Sequence, residues 1–159
     1  LALESDGLLA ALNAIADKTN STYDQKVRME IDETLIEQFD QNKQTVIFYL
    51  VEEAINNARK HAQADIILVR LRHSSNDKEI AHLEIMDNGV GFDVKAVNGN
   101  YNQRGSLGMV NLRERTELIN GLLYIDSVPG RGTRVQIYIP LTRAADERIQ
   151  HGIVELQTS

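Results

Sequence analysis

The sequence predicts a two-layer α/β sandwich, a mixed sheet with about three helices over one face. Three observations predict it. Two pairs of strand-like segments, 65–73 with 80–87 and 122–127 with 133–139, are each joined by a short turn, which favours neighbouring antiparallel strands. Three segments, 6–19, 43–62 and 109–120, carry apolar residues at helical spacing. The helices and strands do not alternate one by one, as a doubly wound sheet requires.

In chain order, residues 6–19 form the first predicted helix, with Leu8, Leu9, Leu12, Ile15 and Ala16 on one face and Ser5 or Asp6 as its N-cap. Lys26–Asp32 alternates, with Val27, Met29 and Ile31 on one side, and reads as a strand. A linker with a short helical stretch (34–39) leads to the helix over 43–62. There Ile47, Val51, Ala54, Ile55, Ala58 and Ala62 share one arc at about 100° per residue. The first strand pair turns at Ser-Ser-Asn-Asp-Lys (74–78) and the second at Pro-Gly-Arg-Gly (129–132). Between the pairs, 88–108 is polar and rich in Gly and Asn, a long loop of the kind that carries function. The helix over 109–120 stops at Gly121. The tail from Thr142 is polar and gives no clear element, so residues 1–141 are expected to form one domain and 142–159 a tail.

At 159 residues the chain suffices for one domain with a real core. A net charge of -6 argues against a general nucleic-acid binder. No apolar run of about 20 residues and no signal-peptide pattern occur, which suits a cytoplasmic piece. With no cysteine, thiolate metal sites and cysteine nucleophiles are excluded. The chain begins with Leu, which leads to the expectation of an excised fragment.

Four segments carry candidate chemistry. On the helix over 43–62, Glu53, Asn57, Lys60 and His61 share a second arc, a set able to handle a metal and a phosphate. Taken alone, that face reads more readily as solvated surface. Asp87-Asn-Gly-Val-Gly-Phe92 ends a strand. Gly89 and Gly91 let backbone approach a ligand and Asp87 can accept from an exocyclic amine; a tight Asx turn is an equal reading. Gly105-Ser-Leu-Gly108 precedes a helix, where free amides favour anions, although a flexible cap fits equally. Gly130-Arg-Gly-Thr133 reads first as a hairpin turn. The four histidines (61, 73, 82, 151) lack metal spacing, and His73 and His82 read as surface or edge residues. Arg113 and Arg115 read as a solvated face.

Taken in order, these segments resemble the GHKL ATPases. Glu53-x-x-x-Asn57 is similar to their N box and Asp87-x-Gly-x-Gly91 to their G1 box. Gly105-x-x-Gly108 and Gly130-x-Gly-Thr133 are similar to the G2 region and closing segment. The resemblance spans about 6–141. Ala54–Ala62 and Gly108-Met-Val-Asn-Leu-Arg-Glu-Arg115 resemble most the sensor histidine kinases that partner helix-turn-helix response regulators. The resemblance implies a Bergerat-type fold and use of ATP with Mg²⁺. It implies that Asp87 binds the adenine amino group with Thr133 in support, that Asn57 coordinates Mg²⁺, and that Glu53 acts as a base or polarises the acceptor. Lys60 and His61 would lie near the phosphates, Gly89 and Gly91 would shape the nucleotide-facing turn, and a lid over about 93–108 would close on the triphosphate, with Gly105 and Gly108 exposing amides. Glu52 and Asn56 have the same spacing as Glu53 and Asn57, so only the resemblance selects the latter pair.

The chain also departs from the larger kinase branch. Ser106 holds the middle position of Gly-x-Gly-x-Gly, and no Phe-rich motif occurs in 93–104. No histidine is followed by Asp or Glu, so the phosphoacceptor is expected upstream, on dimerisation helices outside the fragment. The intact protein would then be a homodimer, membrane-anchored or not through missing segments, with a response regulator as partner and this fragment able to exist as a monomer. Two other readings stay open: an anti-sigma-factor-type serine kinase of the same superfamily, and a nucleotide-binding regulatory module without catalysis.

Overall fold

The computed structural model describes residues 2–60, 63–91 and 104–152; for 2–6 and 104–107 only the backbone is described. The elements run α1 (Ala2–Thr22), β1 (Lys26–Ile31), α2 (Glu33–Ile36), α3 (Gln41–Lys60), β2 (Ile66–His73), β3 (Ile80–Asp87), α4 (Arg104–Leu118), β4 (Leu122–Ser127), β5 (Thr133–Pro140) and α5 (Arg143–Gln150). The sheet order is β1-β2-β3-β5-β4. Among the described residues only β1 and β2 pair in parallel, with α2 and α3 supplying the crossover that a parallel pair needs. The two hairpins are antiparallel and meet where β3 pairs with β5, so the sheet is mixed, as expected.

Period-two alternation decides what faces the helices. Ile67, Val69 and Leu71 on β2, Ala81, Leu83 and Ile85 on β3, and Val135, Ile137 and Ile139 on β5 are all buried in one core with Leu8 and Leu12 of α1, Ile47 and Val51 of α3, and Leu112 of α4. Each fully buried Leu or Ile contributes roughly 1.5–3 kcal/mol. The three expected helices thus cover one face. Helix α3 packs on α1, α4, β2 and β3, so its buried set extends beyond the expected arc to Val46, Phe48 and Leu50.

Three boundaries differ from expectation. Backbone geometry breaks inside α1 at Gly7 (φ 83, ψ 178), so the helix expected over 6–19 follows a kink and is preceded by another helical stretch. Helix α4 begins at Arg104 rather than at Met109, so Gly105 and Gly108 lie inside the helix rather than in the loop before it. The tail holds a helix, α5: Thr142 caps it by accepting the Ala145 N–H at 3.0 Å, and Arg148 bonds Asp77 and Glu79 on the β2–β3 turn at 3.1 and 2.8 Å. Strand parity puts α5 on the far side of the sheet, where Ala145 and Ile149 pack on Ile80 and Tyr138.

Beside α5, the far face is polar. Glu84 is fully buried there, bonded by Arg134 (2.6 and 3.0 Å) and Arg72 (3.1 Å), with Arg70 at 3.8 Å. Burial alone would raise its pKa, but the Arg134 hydrogen bonds and the neighbouring positive charges outweigh it and hold the carboxyl below its ordinary value. His82, expected at the surface, is buried instead: it stacks on Tyr138 (ring centroids 4.4 Å apart), bonds Gln136 at 3.0 Å, and burial lowers its pKa. The sequence could not show this, because the groups that cover His82 come from β5.

Glu84→Gln should therefore destabilise the fold by about 2–3 kcal/mol at pH 7, since it strips the charge from a set of arginine hydrogen bonds. A depressed pKa gives stability that is present above the unfolded value of about 4.3 and lost as pH falls through the lower folded value. In urea melts the gap between wild type and variant should shrink in that acid window; a gap that widens there refutes the assignment.

Candidate functional site

The inward rows of the sheet end in polar groups. Ile85, Val135 and Ile125 lie in register across β3, β5 and β4, and two residues further on the same parity places Asp87, Thr133 and Ser127 side by side. The apolar core thus gives way to a carboxylate and two hydroxyls at one end of the sheet, on the side facing the helices.

Asp87 is half-buried, and its Oδ1 accepts the Gly89 N–H at 2.8 Å. Burial pushes its carboxyl above the ordinary value, opposed by the backbone N–H groups of Gly89 and Thr133 that bond it. Of the two equal readings of the sequence the Asx turn is thus present, and it orients the carboxylate. Ser127 Oγ lies 2.8 Å from Thr133 Oγ1 and donates to the Gly132 carbonyl at 3.2 Å.

Two glycines lock this end together. Gly91 (φ +68) and Gly132 (φ +81) both adopt left-handed backbone, and each lies where a Cβ would collide with a carbonyl: Val128 O for Gly91, Asp87 O for Gly132. Gly130 N–H bonds Val90 O at 2.5 Å, a second tie between the two turns.

A second group sits on α3. A Cβ at Gly108 would stand 2.7 Å from both Asn57 Oδ1 and Nδ2, so the Asn57 amide rests on the α4 backbone. Gly108 is the fifth residue of α4, and its N–H falls within the helical ladder rather than among the free amides of the first turn. Its contribution is the missing Cβ, which revises the expectation of an exposed amide; Gly105 remains in the first turn. Glu53 and Asn57 are half-buried and Lys60 is exposed, and among the described residues Glu53 and Lys60 form no ion pair. Arg59 turns the other way, over the Tyr23 ring at 4.1 Å. His61 and residues 93–103 of the expected lid lie outside the described residues. Arg115, expected on a solvated face, bonds Tyr49 O at 3.4 Å and lies over the Tyr49 ring.

The structure thus assembles Asp87, Gly89, Gly91 and Thr133 into one cluster and Asn57 with Gly108 into another. A cavity of about 320 Å³ at the sheet end has Asp87, Ser127 and Thr133 in its lining together with Met86 and Arg134 from the other face, so it runs across the strand ends. Two residues of the cluster were missed. Asn88 Oδ1 accepts the N–H of both Asp65 and Ile66 at 2.9 Å and pins the start of β2; its place between Asp87 and Gly89 was the available signal. Ser127 had no signal beyond its position at a strand end.

A family model described as histidine kinase-, DNA gyrase B-, and HSP90-like ATPase matches residues 42–143. The chain is 36% identical over 145 residues to an uncharacterized sensor-like histidine kinase of Chloroflexus aurantiacus, covering 89% of this chain and 24% of that protein. It is 33% identical to the signal transduction histidine-protein kinase/phosphatase DegS of Bacillus subtilis (89% and 36% covered) and 39% identical to the oxygen sensor histidine kinase NreB of Staphylococcus carnosus (67% and 28%). The chain therefore spans about a quarter to a third of these relatives. Among solved structures, a blue-light activated histidine kinase of Erythrobacter litoralis superposes with a TM-score of 0.67 at 26% identity, covering 84% of this chain and 42% of that one. The ATP binding domain of PrrB from Mycobacterium tuberculosis superposes with a TM-score of 0.58 at 19% identity (82% and 91% covered), a likeness of fold alone.

The two close approaches predict opposite outcomes. Gly132→Ala should cost more than about 1 kcal/mol in denaturant melts, because left-handed backbone and an immovable carbonyl both oppose the methyl. Gly108→Ala meets only a side-chain end inside a helix, where Ala is favoured by roughly 0.5–1 kcal/mol. It should keep the melting point and shift the Asn57 side-chain amide resonance; an unshifted resonance would deny the contact.

Proposed function

Because the chain belongs to the histidine kinase-, DNA gyrase B-, and HSP90-like ATPase family, we propose that it is the catalytic ATP-binding domain of a two-component sensor histidine kinase. In this role it moves the ATP γ-phosphoryl group to a histidine outside residues 1–159, for relay to a response-regulator aspartate. The observation that carries the proposal is the half-buried Asp87 carboxylate, aimed by Gly89 and flanked by Thr133 at a sheet end. The three sensor kinases at 33–39% identity support it over a serine kinase or a non-catalytic module.

The roles follow from the residue types. Asp87 accepts from the adenine amino group, Thr133 supports that contact, and Gly89 and Gly91 keep the turn close to the base. Asn57 offers one oxygen held in place by Gly108. No cluster of three or more His, Asp or Glu occurs among the described residues, so a metal here would take most of its ligands from phosphates and water, the habit of Mg²⁺. Mg²⁺, when bound, neutralises phosphate charge. Glu53, one helical turn before Asn57, orients or deprotonates the incoming acceptor; Lys60 and the amides near Gly105 serve the phosphates, as His61 would by its place in the sequence. Residues 1–141 form the catalytic unit, and α5 extends it. The upstream helices would dimerise the intact protein and carry its acceptor histidine. Among the described residues no helix is long and apolar enough to cross a membrane; we place the domain in the cytoplasm.

In calorimetry, Asp87→Asn should weaken ATP binding about 10- to 150-fold, the worth of one hydrogen bond to a charged group, while the fold persists. Unchanged affinity removes Asp87 from the adenine site. Glu53→Gln should slow phosphotransfer to a supplied dimerisation and phosphoacceptor domain by more than it weakens ATP binding. Equal transfer rates would strip Glu53 of its role, and no transfer by wild type to any such histidine domain would count against the kinase reading.

A further inference from the structure

Ser127 and Thr133 face each other in register on β4 and β5, beside Asp87. Each hydroxyl has one proton and lone pairs that accept. The Gly132 carbonyl can only accept, so the 3.2 Å contact with it takes the Ser127 proton. The 2.8 Å contact between the two hydroxyls then takes the proton of Thr133. The Thr133 hydroxyl proton is thereby committed to Ser127 rather than to Asp87. With its proton turned toward Ser127, the Thr133 oxygen presents lone pairs.

We propose that Ser127 is a positioning residue that fixes the hydrogen-bond polarity of Thr133 and so makes the site selective for 6-aminopurine over 6-oxopurine nucleotides. The inference rests on the reading of Asp87 and Thr133 as the adenine site. An ionised carboxylate and an oriented hydroxyl oxygen form a pair of acceptors. Such a pair matches an exocyclic amine, directly or through a water. A 6-oxo group meets it acceptor to acceptor, and mismatched polar groups of this kind are where binding sites discriminate most strongly. Without Ser127 the Thr133 hydroxyl is free to rotate and donate, and a 6-oxo group finds a partner.

The test compares ADP and IDP by calorimetry with Mg²⁺ on wild type, Ser127→Ala and Ser127→Thr. Wild type should prefer ADP. Ser127→Ala should narrow that preference roughly tenfold, chiefly by improving IDP binding relative to ADP. Ser127→Thr, which keeps a hydroxyl on a strand, should restore it. The preference is a ratio on one preparation, so partial loss of folded protein leaves it readable. If Ser127→Ala weakens both nucleotides equally, or changes neither, Ser127 is only structural and the proposal fails while the adenine site stands. If wild type binds neither nucleotide, the adenine reading falls and this assignment falls with it.

Discussion

The close approach of two turns governs the site. Gly91 and Gly132 carry no Cβ, and each lets a carbonyl of the opposite turn sit where that Cβ would be. The end of β3 is thereby pressed onto the β4–β5 turn. Asp87 cannot drift from Thr133, because the Asp87 backbone is itself one of the contact surfaces. The Asx turn to Gly89 then fixes the side chain, and the next residue, Asn88, reaches outward to hold the start of β2. One short segment thus orients a half-buried carboxylate and ties three strands together. Positive φ at both glycines is the conformational condition for this, and side chains are rarely admitted there.

The far face of the sheet explains why β3 can be buried along its length. Ile80, His82 and Glu84 point away from the main core, yet all are covered. Helix α5 closes over Ile80 and Tyr138, and arginines from β2 and β5 close over Glu84. A buried carboxylate offers less stability than a packed apolar group unless its hydrogen bonds are complete. Here Arg134 bonds it twice on Oε2 and Arg72 takes Oε1, so the charge is well matched. What this arrangement secures is the register of β2, β3 and β5, and that register sets Asp87 opposite Thr133.

Much of the fold was legible because apolar period follows burial. The five strands and the α3 core face were read from alternation and helical spacing within a residue or two. Features were missed where the deciding partner lies far away in sequence. The start of α4 contains two glycines and reads as loop, and its helical form goes with a contact to Asn57 on α3. Helix α5 is short, with Ala145 and Ile149 buried one turn apart, and its low apolar content made the segment read as tail. His82 reads as a surface histidine until Tyr138 is placed on its ring. At the candidate site, the glycine spacing and Asp87 stood out, whereas Ser127 resembled any hydroxyl on a strand. Its geometry depends on the pairing of β4 with β5.

The two clusters are built from different materials. Asp87, Thr133 and Ser127 belong to the sheet, where ladder hydrogen bonds and interlocked turns hold each atom from several directions. Asn57 and Glu53 belong to one helix face, and Asn57 is steadied by the bare backbone of a second helix at Gly108. Recognition of a base by donor and acceptor pattern demands fixed polarity, which strands in register supply. Phosphoryl transfer demands charge neutralisation about an extended anion, whose place is set once the base is bound. A rigid sheet end for the base and a helix pair for the phosphates divides the proposed function along the same line that divides the two layers of the fold.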